Sequence, residues 1–502
     1  MSRPDTGGRM AAAPDEGFAQ AMALLNGGQV AEAERRLRQL QVVAPADARL
    51  MHMLGLIALQ TNRPAEAVQQ FEKAVATYPD EPGFRGLLGN AYRAAGRLDA
   101  ARDAYLAVLA DDPASVPALI NLGNLALEKG RLDEAQARYR RAAEIEPAHP
   151  EVQNGLGQLA LGQVPADGTV PDDDPRRQAA LAAAAGHFER ALRAAPDHPA
   201  ALAGRGKVAA ARGDTATALA ALDRALRVAP GQPDVAVSLG KTALRAGRLA
   251  PAKAALEHAL QVLPPWPGGQ AQRQYAHCYL SYVAAAAGDT AGYAALADPA
   301  EMVLVGALDG DSSGLNTALA EEILSQIPLT WEPADTTTSA GRQSGDLSRG
   351  GGPAIAAFRE RLAAAVARRI DDLPFREGHP FLGHRPRRYR FNLWATVLHE
   401  GGHQRPHIHP RGWMSGVYYV QVPELAADAP AEAGRLELGR PEAQLDAAGI
   451  LPPERLTLVT QVAAVPGRLV FFPSYLFHRT IPFRGADDRP RISLAFDVLP
   501  EA

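Results

Sequence analysis

The feature that most constrains the fold of this chain is a regular repeat, with a period of about 34 residues, in its first half. Prolines, glycines and alanines each recur with this spacing, starting from Pro45, Gly55 and Ala33. All three series also share one longer step, which for the prolines runs from Pro147 to Pro196. The longer step predicts an insertion in one unit, and residues 162–176 (GQVPADGTVPDDDPR) have the composition of such a surface loop. Three series in one phase indicate a repeat protein and not an irregular helical bundle.

Each unit has the pattern of two helices. In residues 85–112 (RGLLGNAYRAAGRLDAARDAYLAVLADD) apolar residues recur at intervals of three and four. We expect Gly96 to end the first helix and Pro113 to follow the second. The small residues Gly89 and Ala101 stand where the two helices must approach closely.

This period, with its Leu-Gly, Ala, aromatic and Pro positions, resembles the tetratricopeptide repeat. The resemblance implies an α-solenoid of about seven repeats over residues 17–269, wound as a right-handed superhelix whose concave groove binds a peptide or a protein. A solenoid that serves only as a dimerisation surface is the alternative. We expect residues 1–16 to be disordered and residues 270–300 to form a capping helical hairpin.

Length and composition limit the class of protein. A chain of 502 residues exceeds what one core usually holds, so we expect two or three domains. The net charge of −4 argues against a nucleic-acid partner. A single cysteine, Cys278, excludes an intrachain disulfide and indicates a reducing compartment. The opening residues lack the apolar core of a signal peptide, and no stretch approaches the about 18 apolar residues of a membrane span. We therefore expect a soluble, cytoplasmic protein without a membrane partner.

From about residue 301 the pattern changes. Residues 318–327 and 354–373 still predict helices, while residues 336–353 are rich in Ser, Thr and Gly and predict a loop, which we expect to be a lid. After Pro374 the sequence predicts short strands rich in β-branched and aromatic residues. These candidate strands are 388–398, 413–422, 434–439, 456–465, 467–473 and 491–499.

Short strands without βαβ alternation favour a β-barrel or jelly roll over a parallel nucleotide-binding sheet. The predicted fold class is therefore a multidomain α + β chain. An N-terminal α-solenoid precedes a C-terminal double-stranded β-helix (jelly roll) with flanking helices, over residues 301–502, with its β core at about 385–500.

Histidines cluster in the β region, and their spacing suggests a metal site. His407 and His409 share one face if their segment is extended. His478 lies much further along the chain, just after the predicted strand 467–473. Two ligands near one strand end and a third from a distant strand suit a facial metal site with open positions, and imidazole binds iron, copper and zinc alike. A polar turn is the alternative for His407 and His409 alone.

A candidate anion site follows the third histidine. Arg491 and Ser493 lie on one face of the last predicted strand, and a guanidinium with a neighbouring hydroxyl binds a carboxylate well. Either Arg489 or Arg491 could face inward. We favour Arg491 because residues 491, 493 and 495 alternate together.

Four segments together resemble a known family. They are HPFLGHRP (379–386), HIHPRGWMSGVYYVQVP (407–423), GRLVFFPSYLFHRTIPF (467–483) and RISLAFDVLP (491–500). Residues 376–500 resemble the 2-oxoglutarate/Fe(II) oxygenases that follow tetratricopeptide repeats in bacterial proteins. The resemblance implies that His407 and His478 are the proximal and distal iron ligands. It also implies that Arg491 and Ser493 bind 2-oxoglutarate, and that Tyr419 contacts this cosubstrate.

One position departs from the usual motif. His409 stands where a carboxylate ligand is usual, so either three imidazoles bind the metal, or a water or another residue completes the set. Three neutral ligands leave more positive charge on the metal. His403, two alternations before His407, is a further candidate ligand, but we expect it to support the site or lie at the surface, and we expect the same of His399 and His384.

The resemblance implies an Fe(II)- and 2-oxoglutarate-dependent oxygenase, with molecular oxygen as the second cosubstrate. His407, His478 and Arg491 would be its catalytic residues, and the repeats would recruit a peptide or protein. Two alternatives stay open. One is a non-catalytic scaffold with a metal-binding jelly roll, and the other is a three-histidine metal oxygenase that does not use 2-oxoglutarate.

Overall fold

The computed structural model describes residues 7–165, 170–310, 312–332, 337–442, 445 and 449–501. The chain divides into two compact units. Unit 1 comprises Met1–Val164 with Asp173–Arg205, and unit 2 comprises Pro165–Asp172 with Gly206–Ala502. The boundary between the units therefore falls inside one helix of the repeat region, Pro199–Ala211.

Seven consecutive pairs of helices occupy the repeat region among the described residues. The first helices of the pairs have 13 residues, apart from the longer α1, and most second helices have 14. The helices are α1 Gly7–Asn26, α2 Val30–Val43, α3 Ala48–Gln60, α4 Pro64–Thr77, α5 Pro82–Ala94, α6 Leu98–Asp111, α7 Val116–Glu128, α8 Leu132–Ile145, α9 Pro150–Gly162, α10 Pro175–Ala194, α11 Pro199–Ala211, α12 Thr215–Val228, α13 Pro233–Arg245 and α14 Leu249–Val262.

The N-terminal segment differs from expectation. Residues 1–6 of the segment expected to be disordered (1–16) lie outside the described residues. Residues 7–16 belong to helix α1, which begins at Gly7. The run Met-Ala-Ala-Ala at residues 10–13 has high helix propensity, which favours this extension.

The periodic glycines are explained by contact between the two helices of a pair. A Cβ at Gly89 in α5 would lie 2.4 Å from Cε1 of Tyr105 in α6, so only glycine fits against the ring. Tyr105 is fully buried, as is Ala101 beside it. The same pairing of a glycine with a large side chain recurs at Gly55–Phe71, Gly123–Tyr139, Gly157–Phe188, Gly206–Leu222 and Gly240–Leu256.

The inserted residues divide between a loop and a helix. The connection between α9 and α10 runs from Gln163 to Asp174, whereas the other pairs are joined by short turns such as residues 95–97. Helix α10 has 20 residues, where second helices such as α6 and α8 have 14. The predicted insertion, residues 162–176, therefore corresponds to the longer connection. The greater length of α10 supplies the remaining inserted residues. Residues 166–169 lie outside the described residues.

The segment expected to form a capping helical hairpin contains two helices of unit 2, which pack against the strand region that follows. Residues 270–300 contain α15 (Gln270–Ala287) and α16 (Thr290–Ala297), followed by the short α17 (Pro299–Met302). The buried Gln274 side chain of α15 donates from Nε2 to the carbonyl of Gly412 at 2.6 Å. Helices α13 to α15 also share one hydrophobic core with the strands described next. The last helices thus support the histidine segment directly.

The C-terminal strands form one curled antiparallel sheet with the order β1-β8-β5-β10-β4-β9-β6-β7, and β3 joins β4 to β2. Helices α18 (Ser312–Ser325) and α19 (Pro353–Asp372) flank it. The jelly-roll closure of this sheet stays a prediction. The strands are β1 Leu304–Ala307, β2 Leu329–Trp331, β3 Thr338–Ser344, β4 Tyr389–His407, β5 Met414–Gln421, β6 Leu436–Leu438, β7 Thr460–Val462, β8 Arg468–Pro473, β9 His478–Thr480 and β10 Arg491–Pro500.

The predicted loop over residues 336–353 is wrong at residues 338–344, whereas residues 345–352 form neither helix nor strand. Residues 338–344 form β3, which pairs with β2 and with β4. Thr338 is buried, and the ladder to β4 outweighs the weak strand propensity of Ser, Gly and Gln in this segment. A lid made of the whole segment is therefore excluded, although residue 336 itself lies outside the described residues.

Two strand boundaries also differ from the predicted ones. β4 continues past the predicted end at residue 398 to His407, with a register shift between Gln404 and His407. β7 is limited to residues 460–462 of the predicted stretch 456–465. Among the described helices, none is long and apolar enough to cross a lipid bilayer.

Candidate metal centre

Two strands place His407 and His478 opposite each other. His407 is the last residue of β4, His478 is the first residue of β9, and the two are register partners. Their ring centroids are 4.2 Å apart. His409 follows two residues after β4, and its backbone N–H donates to the Ser474 carbonyl at 3.0 Å. The nearest ligand atoms of the three histidines all lie within 4.8 Å of one another, close enough for one metal ion.

Hydrogen bonds fix which ring nitrogen each histidine offers. Nδ1 of His407 is 2.7 Å from the Arg405 carbonyl, and Nδ1 of His478 is 3.1 Å from the Leu476 carbonyl. Nδ1 of His409 is 2.5 Å from Oδ1 of Asp497. Carbonyl and carboxylate oxygens only accept, so each Nδ1 carries the proton and donates it. Each Nε2 therefore keeps a free lone pair for a metal.

Burial keeps two of these rings neutral. It lowers the pKa of His407 to about 3, and the neighbouring His409 acts in the same direction. Burial also holds the pKa of His478 well below its usual value. Metal binding requires neutral imidazole, so these rings need lose no proton at neutral pH.

A carboxylate that the sequence analysis missed orients His409. Besides the bond to His409, Oδ1 of Asp497 accepts a hydrogen bond from Oγ of Ser415 at 2.7 Å, and Ser415 in turn contacts Oγ of Ser474 at 2.7 Å. Partners of this kind fix the orientation of metal-binding histidines and increase their basicity. The available signal was position 497 itself, which continues the alternation of Arg491 and Ser493 along one strand face.

Arg491 is the inward-facing arginine, as we favoured from the sequence. It is 2% exposed, and no carboxylate among the described residues pairs with it. Its Nε also has no hydrogen-bond partner there. Arg489, in contrast, has a 57% exposed side chain and an ion pair of 2.7 Å with Asp487. A buried guanidinium without an anion is costly unless a ligand supplies the charge, so Arg491 suits a carboxylate.

Ser493 and Tyr419 accompany Arg491. Ser493 is buried and is the register partner of Tyr419 across β10 and β5. The guanidinium carbon of Arg491 lies 5.0 Å from the centre of the Tyr419 ring. Burial raises the pKa of Tyr419, while the neighbouring Arg491 guanidinium acts in the opposite direction. The Tyr419 hydroxyl makes no well-aligned hydrogen bond among the described residues. A polar atom buried without a partner points to a bound group that would complete it.

One cavity joins the histidines to the arginine. Its free space is small, about 30 Å³, which suits a metal ion with water. A second cavity of about 200 Å³ adjoins it at Arg491. The metal cavity is lined by Trp394, Gln404, His407, His409, Gly416, Val417, Tyr419, Leu436, Phe472, His478, Thr480, Arg491, Ser493 and Ala495.

The other histidines of the β region lie outside this cluster. His403 is bonded through Nδ1 to the Gly401 carbonyl, His399 lies against Trp331, and His384 stacks on Trp266. The structure thus brings together all six side chains predicted for the site. Their roles in metal and cosubstrate binding stay predictions. Three imidazoles and an anion-free arginine fit Fe(II) and 2-oxoglutarate in donor chemistry.

Models of known protein families match both the repeat region and the C-terminal region of the chain. Family models described as "Tetratricopeptide repeat" match residues 18–82, 52–116 and 176–233 in one case, and 93–159 and 209–274 in the other. A model described as "Putative 2OG-Fe(II) oxygenase" matches residues 392–497. The family models thus find tetratricopeptide repeats in the N-terminal region and an oxygenase-type domain at residues 392–497. No curated protein matches the chain significantly.

Several solved structures are similar to the repeat region. One is the Cut9–Hcn1 hetero-tetramer of APC/C (TM-score 0.41, 18% identity), for which 49% of this chain covers 46% of that chain. A tetratricopeptide repeat protein from Parabacteroides merdae ATCC 43184 has a TM-score of 0.39 and 16% identity, over 51% of this chain and 95% of that one. The human IFIT1 dimer with m7Gppp-AAAA has a TM-score of 0.45 and 15% identity, over 56% and 65%. The chain thus spans about half the length of the first of these, and at these TM-scores none assigns a partner.

Proposed function

We propose that this protein is an Fe(II)- and 2-oxoglutarate-dependent oxygenase whose repeat region recruits a peptide or protein. The observation that carries the proposal is the coexistence, in one cavity, of three orientated histidine Nε2 atoms and a buried arginine without an anion. The family match over residues 392–497 supports the same reaction class.

The proposed roles follow from the position of each side chain. His407, His409 and His478 would hold the iron, which together with 2-oxoglutarate supplies oxygen activation. Arg491 would hold the far carboxylate of the diacid through its guanidinium, and Ser493 would add a hydroxyl donor. The Tyr419 hydroxyl would donate to the same diacid.

Apolar side chains would keep the reaction dry. Phe472 lies with its ring centroid 4.6 Å from that of His478, and Leu436 lines the same cavity. Low polarity around these groups strengthens each charge interaction inside the cavity and limits side reactions with water.

His409 decides between ligand sets. As a ligand it gives the iron three neutral donors, and Asp497 places a negative charge one hydrogen bond away instead of directly on the metal. This arrangement also suits a three-histidine oxygenase that does not use 2-oxoglutarate. The unpaired guanidinium of Arg491 favours a cosubstrate that carries a carboxylate.

An anaerobic titration tests the proposal. The full-length protein is loaded with Fe(II), 2-oxoglutarate is added, and the visible metal-to-ligand charge-transfer band is recorded. Oxygen is then admitted and succinate is measured. We expect the band and succinate in the wild type, iron without the band in Arg491→Ala, and greatly weakened iron binding in His478→Ala.

Two matched variants serve as controls. Arg489→Ala removes an exposed arginine two residues before Arg491, and His403→Ala removes a histidine of β4 outside the cluster. Both should behave as the wild type. Iron binding without the band or succinate in the wild type would indicate another metalloenzyme, and absence of iron binding would indicate a scaffold. His409→Ala with unchanged iron affinity would remove this residue from the ligand set.

A further inference from the structure

The inner face of the sheet continues beyond the metal site, away from Arg491. Along β10, residues 491, 493, 495, 497 and 499 share one face. On this face Arg491 lies at the proposed cosubstrate site, and Asp497 lies at His409, with which it is hydrogen-bonded. The register places Asn392 opposite Asp497 and Arg390 opposite Leu499. Two residues of a strand span about 7 Å, so this face extends about that far past Asp497.

An open groove of about 440 Å³ lies at this end. It shares Trp394 and His409 with the metal cavity, and the two rings are 5.3 Å apart. The groove therefore reaches the proposed metal ligand from the side opposite Arg491. Its volume falls in the range of pockets that bind small ligands or parts of peptides.

The charges of the groove are unbalanced. Arg390 and Arg411 line it, both residues are exposed, and neither has an ion pair within 4 Å among the described residues. Arg390 is near enough to Asp346 to lower the pKa of the Asp346 carboxyl. The Asp346 oxygens, however, accept hydrogen bonds from Ser348 and from the backbone N–H of Leu393. The carboxylate of Asp497 is occupied by His409 and Ser415. Two guanidinium groups thus remain for an acidic ligand.

Amide chemistry at the groove favours a peptide. Gln343 and Trp394 each carry a buried polar atom without a hydrogen-bond partner among the described residues, an acceptor (Oε1) and a donor (Nε1) respectively. A peptide group offers the complementary N–H and C=O. Asn392 adds a further amide to the lining.

We infer that this groove, defined by Arg390, Asn392, Trp394 and Arg411, binds the prime substrate, and that this substrate is an acidic peptide segment. The inference rests on the proposed function, since it takes His409 as the metal end of the groove. Arg390 and Arg411 would bind Asp or Glu side chains on either side of the residue that is oxidised. A nucleic acid would also offer anions, but the net charge of −4 gives no general basic surface for it.

Binding without turnover tests the inference. Two fluorescent libraries of N-acetylated, C-amidated dodecapeptides are compared, one with fixed Asp and Glu positions and one with Lys and Arg at the same positions. Fluorescence anisotropy is measured with the full-length protein loaded with Ni(II), at low and at physiological salt. We expect tighter binding of the acidic library, with affinity falling as salt increases.

Charge reversal locates the site. Each of Arg390→Glu and Arg411→Glu replaces an attraction to an acidic side chain by a repulsion, so each should weaken acidic-library binding by about tenfold. The double variant should prefer the basic library. Arg349→Glu, an exposed arginine that does not line the groove, should bind as the wild type does. Circular dichroism and Ni(II) stoichiometry verify folding.

Three outcomes would overturn the inference. The first is equal binding of both libraries, and the second is unchanged affinity for the acidic library in both reversal variants. The third is competition by N-acetyl-aspartate amide as strong as that by unlabelled acidic peptide, which would indicate that the groove binds a small acid. Stronger binding of single-stranded oligouridine, lost in the same variants, would replace the peptide by a nucleic acid. Because no turnover is needed, this assay can fail while the charge-transfer band persists, so its failure is distinct from failure of the proposed function.

Discussion

Asp497 holds His409 in place, and its replacement by asparagine changes charge with little change of shape. Its Oδ1 lies 2.5 Å from Nδ1 of His409 and 2.7 Å from Oγ of Ser415. Hydrogen bonds to a charged group contribute about 1.5–3 kcal/mol, and neutral ones about 0.5–1.5 kcal/mol. Asp497→Asn should therefore weaken the bond that orients His409 by about 1–1.5 kcal/mol. Since about 1.4 kcal/mol is tenfold in affinity, we expect metal binding about tenfold weaker.

Isothermal titration calorimetry of the metal-free protein with Ni(II), and anaerobically with Fe(II), measures this change. Asp487→Asn is the control, because Asp487 is a surface carboxylate paired with Arg489 outside the cavity. In a His409→Ala background, Asp497→Asn should cause no further loss, since the two residues act through one bond. A folded Asp497→Asn protein with wild-type metal affinity would refute this reasoning.

Two further predictions concern stability. The free energy of unfolding of the metal-free protein should fall as pH decreases from about 6.5 toward 3, because the pKa of His407 is about 3 in the folded state, so the unfolded chain takes up the proton first. Urea denaturation at several pH values in this range should show that the free energy of unfolding depends less steeply on pH in His407→Asn than in the wild type. An equal pH dependence of the two proteins would contradict the burial effect. Gly89→Ala should destabilise the repeats by about 1–3 kcal/mol through its clash with Tyr105. Gly86→Ala in the same helix, with nothing within 4 Å of the added carbon, should be stabilising by up to about 1 kcal/mol, and equal effects of the two changes would contradict the packing argument.

The repeat region could be predicted well because the packing of paired helices requires particular residues at regular positions. Gly89 and its equivalents must be glycine to accommodate a ring such as that of Tyr105, so the period is visible in single residues. The choice of Arg491 over Arg489 succeeded for a similar reason. A strand with one buried face shows which residues share that face.

The missed features depend on partners distant in the sequence. Asp497 continues the strand face of Arg491 and Ser493, but its partners His409 and Ser415 lie 88 and 82 residues away, and no local pattern indicates those contacts. Strand β3 is held by its ladder to β4 and has no strong strand pattern of its own. The end of β4 was predicted too early because Gly401 and Gly402 suggest a turn, whereas the strand continues through them to His407.

X-ray absorption spectroscopy of the Fe(II)-loaded protein tests the central claim most directly. We expect one iron per chain, with multiple-scattering features of three imidazole ligands in the wild type and two in His409→Ala. Added 2-oxoglutarate should increase the number of oxygen ligands in the wild type and leave the spectrum of Arg491→Ala unchanged. A wild-type spectrum with fewer than three imidazoles, or one unaffected by 2-oxoglutarate, would contradict the account.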